Sequence, residues 1–243
     1  MLTLSAEPSA RTDGYPPVAP GALIAHALGA IDGRAYTNSL EAFQISYANG
    51  RRIFEVDFQL TSDGQLVCVH DGVEQQVGLS QPIGNVTAAE FLTHKWMGRF
   101  TLMTLAQLLE LLEAHQDALI VTDTKGWSAA VAKGLERALV AVDAQLVSRI
   151  IPQIYNPADL ALVRGIESRL GRFRSLVFTL YMSRMSNAEV AAFVATAQIP
   201  LVAFPVSRAD PAFVALLRQG GAQALVHTVN EHADIFKLAR MGV

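Results

Sequence analysis

The stretch RRIFEVDFQL, residues 51–60, decides the fold class and also raises the question of function. Its apolar residues are typical of a buried strand, yet Glu55 and Asp57 lie among them. Side chains two positions apart in a strand point to the same face, so we expect both carboxylates on one side of a sheet. A buried carboxylate needs a compensating charge, because its removal from water is costly.

Similar short strands recur along the chain, and segments with helical periodicity separate most of them. The pattern predicts eight strands, at residues 22–26, 52–59, 65–70, 118–123, 149–154, 175–179, 201–204 and 224–228. It predicts helices at residues 39–49, 104–115, 127–144, 157–170, 187–198, 211–219 and 231–241, with a lesser helical piece near 87–93. Such alternation is typical of an α/β protein and favours a (β/α)8 TIM barrel. Only TSDG, residues 61–64, separates the second and third strands, so no helix is expected there.

The length, composition and charge of the chain indicate a single-domain protein that does not bind nucleic acid. The chain has 243 residues, of which 51% are hydrophobic, and we expect a single domain over residues 22–243. Residues 1–21, rich in Pro, Ser and Ala, are expected to form an irregular lead-in. The formal charge is −3 with scattered Lys and Arg, which argues against a nucleic-acid partner.

No run of about 18 apolar residues and no signal-peptide pattern is present, so we expect a cytoplasmic protein without stable membrane insertion. Cys68 is the single cysteine, so an internal disulfide is excluded and the thiol is expected in the core. The sequence specifies no oligomeric state.

Two explanations account for the carboxylate pair in the stretch quoted above. The carboxylates could form internal salt bridges with Arg51, Arg52 or Lys125. Alternatively, their oxygens could ligate a hard cation such as Mg²⁺ or Ca²⁺. The spacing of the pair leaves both open.

A third carboxylate favours the cation. Asp123 ends the apolar strand in ALIVTDTKG, residues 118–126, and the carboxyl ends of barrel strands meet at the active face. Alone, Asp123 would be interpreted as a helix N-cap or as a partner of Lys125. Three converging carboxylates, however, would repel one another unless a cation lay between them.

Two histidines close predicted strands on either side of the pair. His26 lies in LIAHALG, residues 23–29, and His70 in LVCVHDG, residues 66–72. A single histidine at a strand end is most often structural. Two of them beside a carboxylate cluster offer a proton donor and a proton acceptor near neutral pH.

The order of these motifs resembles the glycerophosphodiester phosphodiesterases, within the phospholipase-C-like phosphodiesterases. The family pattern runs Ala-His-Arg-Gly, Glu-Asn-Thr-x-x-Ala-Phe, Glu-x-Asp, Thr-x-Asp-Gly, His-Asp, Glu-x-Lys and Trp-Thr-Val-Asn. This chain has, in the same order, AHALG at 25–29, TNSLEAF at 37–43, NGRRIFEVDFQLTSDGQLVCVHD at 49–71, TDTKG at 122–126 and HTVNEHADIFKLARMGV at 227–243. The resemblance covers about residues 23–243.

The resemblance implies a metal-dependent phosphodiester hydrolase with a role in lipid metabolism. Its substrate would be a glycerophosphodiester or a similar small alcohol phosphodiester. One divalent metal, Mg²⁺ or Ca²⁺, would be bound by the three carboxylates, with Asp123 where the family has Glu. His26 and His70 would be the acid–base pair, and Lys125 would lie near the phosphate. Two alternatives stay open: a phosphodiester lyase that releases a cyclic phosphate, and a non-catalytic barrel that binds a phosphate ester.

The chain also departs from the family pattern. Ala27 stands where the family has a phosphate-binding Arg; Arg34 could replace it or could be a solvated loop charge. Thr37 replaces Glu, although Asn38 remains. His227 replaces Trp and could contact substrate, or could be a packed strand-end residue. The family runs on beyond ARMGV, residues 239–243, so we expect an incomplete or irregular closing strand.

Overall fold

The computed structural model describes residues 21–243, and all but the last residue of the predicted lead-in lies outside this range. The described part of the chain contains ten strands: β1 Ile24–Ala25, β2 Ile53–Leu60, β3 Leu66–Cys68, β4 Lys95–Trp96, β5 Phe100–Thr101, β6 Leu119–Asp123, β7 Ile150–Ile154, β8 Val177–Thr179, β9 Leu201–Pro205 and β10 Gln223–His227. The α-helices are α1 Leu40–Ala48, α2 Glu74–Val77, α3 Ala88–Phe91, α4 Leu105–Ala114, α5 Ala129–Leu139, α6 Ala144–Val147, α7 Asp159–Leu170, α8 Asn187–Ala197, α9 Pro211–Gln219 and α10 His232–Met241.

Seven of these strands form a curled parallel sheet in the order β1-β2-β6-β7-β8-β9-β10. Within residues 21–243, β1 and β10 are its two edges and do not pair with each other. The sheet is therefore a half-barrel. The predicted barrel with an incomplete closing strand is confirmed.

The strand predicted at residues 65–70 does not belong to the barrel. It is β3, which pairs antiparallel with β2, with Phe58 opposite Cys68. The physical reason is the short TSDG connection, because a tight turn joins only antiparallel neighbours whereas a parallel neighbour needs a long crossover. The hairpin of β4 and β5 lies in the same segment, which connects the barrel strands β2 and β6.

Side-chain caps explain several of the helix boundaries. Thr104 and Gln107 form a capping box at the start of α4, and Ser186 and Glu189 form one at the start of α8. The helix predicted at residues 127–144 is shorter than expected, because α5 ends at Leu139 and α6 starts behind a new cap, Asp143.

The two faces of the parallel sheet have different partners. The outer face packs against the helices in the main core. The inner face forms a separate apolar cluster of Ile53, Val121, Ile151, Val177, Leu201 and Ala203. Alternation along β2 and β6 continues this inner face from Ile53 to Glu55 and Asp57, and from Val121 to Asp123. The barrel interior is therefore apolar at its amino end and acidic at its carboxyl end.

None of the helices described between Gly21 and Val243 has the length and apolar character that a membrane span needs.

Candidate functional site

Three carboxylates converge at the carboxyl end of the parallel sheet. Asp57 of β2 lies in register with Asp123 of β6. Glu55 precedes Asp57 by two residues on β2, so its side chain points to the same inner face of the sheet. One oxygen from each residue lies within 4.8 Å of the others, and all three residues are buried. Burial, with the nearby charges of Asp57 and Asp123, holds the pKa of Glu55 well above its ordinary value.

Lys125 bridges two members of this acidic cluster. Its Nζ donates to Asp57 Oδ1 at 2.6 Å and to Asp123 Oδ2 at 2.7 Å. Burial alone would lower the pKa of Lys125, but the two carboxylates raise it above its ordinary value. One of the salt bridges expected from the sequence is thus present. Arg52 instead pairs with Asp117 at the opposite end of the strands.

The cluster could also hold a metal ion. Glu55 Oε2 accepts the Ala27 N–H at 2.9 Å, whereas Glu55 Oε1 is buried and has no hydrogen-bond partner among the described residues. An unpartnered buried oxygen beside two further carboxylates is a donor set that suits a hard divalent cation such as Mg²⁺ or Ca²⁺. The residues present therefore fit the metal that the sequence suggested.

His26 directly follows β1, and its ring reaches the acidic cluster. Its Nε2 lies 3.6 Å from Glu55 Oε2, and the side chain is 37% exposed. Burial lowers the pKa of His26, although the charge of Asp57 opposes this shift. A lowered pKa favours the neutral imidazole, which is the form that can accept a proton.

His70 lies on the other side of a shared aromatic ring. The centroid of the Tyr36 ring lies 4.9 Å from the ring centroids of both His26 and His70. His70 Nδ1 lies 2.7 Å from the Asp71 carbonyl oxygen and 3.2 Å from Asp71 Oδ1. Because Nδ1 must donate to this carbonyl, Nε2 of the neutral ring is left as the acceptor.

Asn38 holds Asp57 in place. Its Nδ2 donates to Asp57 Oδ2 at 2.9 Å, and its Oδ1 accepts the Asp57 N–H at 3.1 Å. The Thr37 hydroxyl bonds to Ser39, the N-cap of α1. Asn38 is fully buried, so its expected contact with substrate stays a prediction.

Arg34 is not joined to the acidic cluster by any hydrogen bond or ion pair among residues 21–243. Its guanidinium donates to the Asp32 carbonyl at 3.3 Å on an exposed loop. At the position of the family's Arg, the side chain of Ala27 is completely buried and its backbone is left-handed, with φ 50°. The predicted role of Arg34 in phosphate binding therefore stays a prediction.

His227 ends β10 at the open edge of the half-barrel. Its Nε2 is buried and has no hydrogen-bond partner within the described chain, and its ring lies 6.5 Å from that of Tyr181. Burial and the nearby His26 lower its pKa. Lys125 Nζ lies 6.0 Å from the centroid of the Tyr181 ring. The Tyr181 ring thus lies beside both His227 and Lys125.

Sequence reasoning missed two residues of this site. Tyr36 gave no signal, because its position depends on a left-handed loop conformation with φ 63°. Tyr155 directly follows β7 and donates its hydroxyl proton to Asp123 Oδ1. The rule that polar residues at strand ends face the site would have identified Tyr155.

Solved structures resemble this fold over nearly its whole length. A candidate glycerophosphodiester phosphodiesterase from Galdieria sulphuraria is 15% identical, with a TM-score of 0.76 and coverage of 90% of each chain. A candidate glycerophosphoryl diester phosphodiesterase from Silicibacter pomeroyi is 20% identical, with a TM-score of 0.72 and coverage of 95% of this chain and 89% of that one. An Oleispira antarctica phosphodiesterase, solved with the product sn-glycerol-3-phosphate, is 18% identical, with a TM-score of 0.70 and coverage of 90% and 89%.

Because the sequence identities to these structures are only 15–20%, the structural similarity establishes the fold alone. The family follows from the sequence itself, because the model of the glycerophosphoryl diester phosphodiesterase family matches residues 29–243. This match contains the acidic cluster, His70, Lys125 and His227. The chain therefore belongs to the glycerophosphoryl diester phosphodiesterase family and is a glycerophosphodiester phosphodiesterase-like enzyme.

Proposed function

We propose that residues 22–243 form one metal-dependent phosphodiesterase domain that cleaves a glycerophosphodiester or a similar small alcohol phosphodiester. The observation that carries the proposal is the placement of two imidazoles, His26 and His70, around one aromatic ring beside three converging carboxylates. The product bound to the Oleispira antarctica phosphodiesterase supports this class of substrate.

Glu55, Asp57 and Asp123 hold one Mg²⁺ or Ca²⁺ ion in this proposal. Bound by these residues, such a cation would supply positive charge to offset that of the phosphate and would help to orient the attacking oxygen. Lys125 lies at the edge of the cluster with a raised pKa, so it keeps its positive charge and can bind a second phosphate oxygen. Asn38 acts through Asp57, whose carboxylate and backbone it holds.

His26 serves as the base. Its pKa is lowered, so it is neutral and accepts the proton of the attacking hydroxyl group as the new P–O bond forms. His70, when it carries a proton on Nε2 as well as on Nδ1, donates the Nε2 proton to the leaving alkoxide as the old P–O bond breaks, while the Asp71 carbonyl keeps the Nδ1 proton. If the attacker is the neighbouring hydroxyl of the substrate, the product is a cyclic phosphate. Water then opens it while the two histidines exchange roles.

His227 orients the substrate. Its unpartnered Nε2 can bond to a hydroxyl group of the alcohol, since no described residue satisfies this atom. Arg34, on the exposed loop, is the candidate to bind a phosphate oxygen in place of the family's Arg.

A phosphodiester panel tests the proposal as a whole. Glycerophosphodiesters are offered to the full chain with Mg²⁺, with Ca²⁺ and with EDTA, beside the His26→Ala and Glu55→Ala variants. We expect cleavage that needs a cation and is lost in both variants. If EDTA and both substitutions leave the activity unchanged, the proposed mechanism is wrong. Phosphorus NMR identifies the product, and a cyclic phosphate that persists would replace hydrolysis with a lyase reaction.

An activated leaving group tests the roles of the histidines. A p-nitrophenyl phosphodiester releases an alcohol that leaves without protonation, so it should restore much of the rate of His70→Ala but little of that of His26→Ala. The reverse pattern would exchange the two roles.

A further inference from the structure

Tyr155 lies at the carboxyl end of β7, next to the strand that carries Asp123, and only 4% of it is exposed. Its hydroxyl donates to Asp123 Oδ1 and accepts the N–H groups of Thr124 at 2.7 Å and Lys125 at 2.9 Å. A phenol has one proton and two lone pairs, so these three bonds use its full capacity. All the hydrogen-bond partners of this hydroxyl are therefore groups of the protein itself.

The position of this hydroxyl is itself fixed. Asp159, which is buried, accepts the Tyr155 N–H at 2.8 Å and the Asn156 N–H at 3.1 Å. The Tyr155 ring meets the Tyr181 ring edge-on at 6.0 Å. Both the backbone and the ring of Tyr155 are thus held before any ligand binds.

The three bonds of the hydroxyl decide how Asp123 and Lys125 are presented. Lys125 has a left-handed backbone with φ 56°, a conformation that is unfavourable for a residue with a side chain. Its N–H bonds to both the Tyr155 hydroxyl and Asp123 Oδ1, which offsets this cost. Asp123 Oδ1 receives two donors, the Lys125 N–H and the Tyr155 hydroxyl, whereas Oδ2 accepts from the Lys125 ammonium, which also bonds to Asp57.

We propose that Tyr155 is a positioning residue: it holds Asp123 so that Oδ2 is the oxygen presented to a cation, and it fixes the turn that carries the Lys125 ammonium. The inference rests on the proposed function in one respect, that the acidic cluster binds a divalent cation. It also explains why the shorter Asp suits this position, because one further methylene group would push the carboxylate into the Tyr155 hydroxyl.

Cation binding to the Tyr155→Phe variant tests the inference without relying on catalysis. The full chain is stripped with EDTA and titrated with Mg²⁺ and with Ca²⁺ by calorimetry. We expect the dissociation constant to rise roughly tenfold or more, as for other residues that orient metal ligands. Tyr47→Phe is the matched control, because the Tyr47 hydroxyl also donates to a carboxylate, Asp117, but at the opposite end of the strands. A folded Tyr155→Phe protein that binds both cations within about twofold of wild type would overturn the inference.

Asp123→Glu provides a second test that does not depend on the stability of Tyr155→Phe. With Tyr155 intact, we expect this variant to bind cations more weakly, and in the double variant with Tyr155→Phe part of the loss should be recovered. Wild-type affinity of the single variant, or strictly additive losses in the double variant, would contradict the inference.

These measurements separate the inference from the proposed function. If cation affinity depends on Tyr155 but no phosphodiester is cleaved, the inference stands and the function falls. If cleavage needs a cation but the cation affinity is the same with and without the Tyr155 hydroxyl, the proposed function stands and the inference falls.

Discussion

Lys125 and Asp57 form an ion pair with 2.6 Å between Nζ and Oδ1, and the carboxylate is completely buried. The same ammonium reaches Asp123, so one lysine neutralises two of the three carboxylates that are offered to a cation. Lys125 and a divalent cation consequently compete for the same negative charge. This competition leads to the first prediction.

Lys125→Met should tighten cation binding while it lowers catalysis. Loss of the ammonium removes a nearby positive charge, which should lower the dissociation constant for Mg²⁺ or Ca²⁺ roughly tenfold, as calorimetry would show. In EDTA the variant should lose about 3 kcal/mol of its free energy of unfolding, because buried carboxylates are left without a partner. Added cation should restore this loss.

The matched control is Lys133→Met, which removes an exposed lysine on α5. It should change neither the dissociation constant for the cation nor the free energy of unfolding in EDTA. Weaker cation binding by Lys125→Met would instead mean that the lysine helps to assemble the site.

Glu55→Gln should stabilise the metal-free protein at neutral pH. Burial and the neighbouring carboxylates raise the folded-state pKa of Glu55 above its unfolded value near 4.5. Between these two pKa values the folded state keeps a proton that the unfolded state has released, so the stability of the wild type falls as the pH rises through this window. The glutamine variant lacks this fall.

Urea unfolding in EDTA measures the effect. The two proteins should be equally stable below pH 4.5, and the variant should become more stable by on the order of 1 kcal/mol above the window. Glu110→Gln, an exposed control on α4, should follow the wild type at every pH. A stability difference that does not depend on pH would contradict the raised pKa.

The acid limb of catalysis should lie below pH 6.5. Burial lowers the pKa of His26 from its ordinary value of 6.5, and a cation bound beside Glu55 would lower it further by repulsion. As a base, His26 loses activity only when it is protonated, so activity should fall as the pH drops through this lowered pKa. A profile of kcat/KM against pH at saturating cation measures it. An acid limb at or above pH 6.5 would exclude His26 as the base.

The sequence was sufficient to predict the strands of the barrel and the convergence of its carboxylates, because both depend on periodicity and on the rule that parallel strands end at one face. Glu55, Asp57 and Asp123 were identified in this way. Residues whose placement depends on backbone conformation were not identified. Tyr36 reaches the two histidines through a left-handed loop, and β3 leaves the barrel because of the length of one turn. The bridge made by Lys125 was one of several pairings that spacing alone could not separate.

His227→Phe should weaken substrate binding and stabilise the protein at the same time. The phenyl ring keeps the contact with Tyr181 but removes Nε2, a buried nitrogen without a partner in residues 21–243. If this nitrogen bonds to the substrate, KM for a glycerophosphodiester should rise about tenfold with a smaller change in kcat. Removing an unsatisfied polar atom should also raise the free energy of unfolding by about 1 kcal/mol.

Michaelis kinetics and urea unfolding of the same preparation measure both effects. His115→Phe is the matched control, because His115 also packs against aromatic rings but its Nδ1 bonds to the Leu111 carbonyl oxygen at 2.6 Å. The control should lose stability, since a hydrogen bond is broken, and should keep its KM. A His227→Phe protein with unchanged KM and raised stability would make His227 a packed strand-end residue, because the nitrogen would then serve neither the fold nor the substrate.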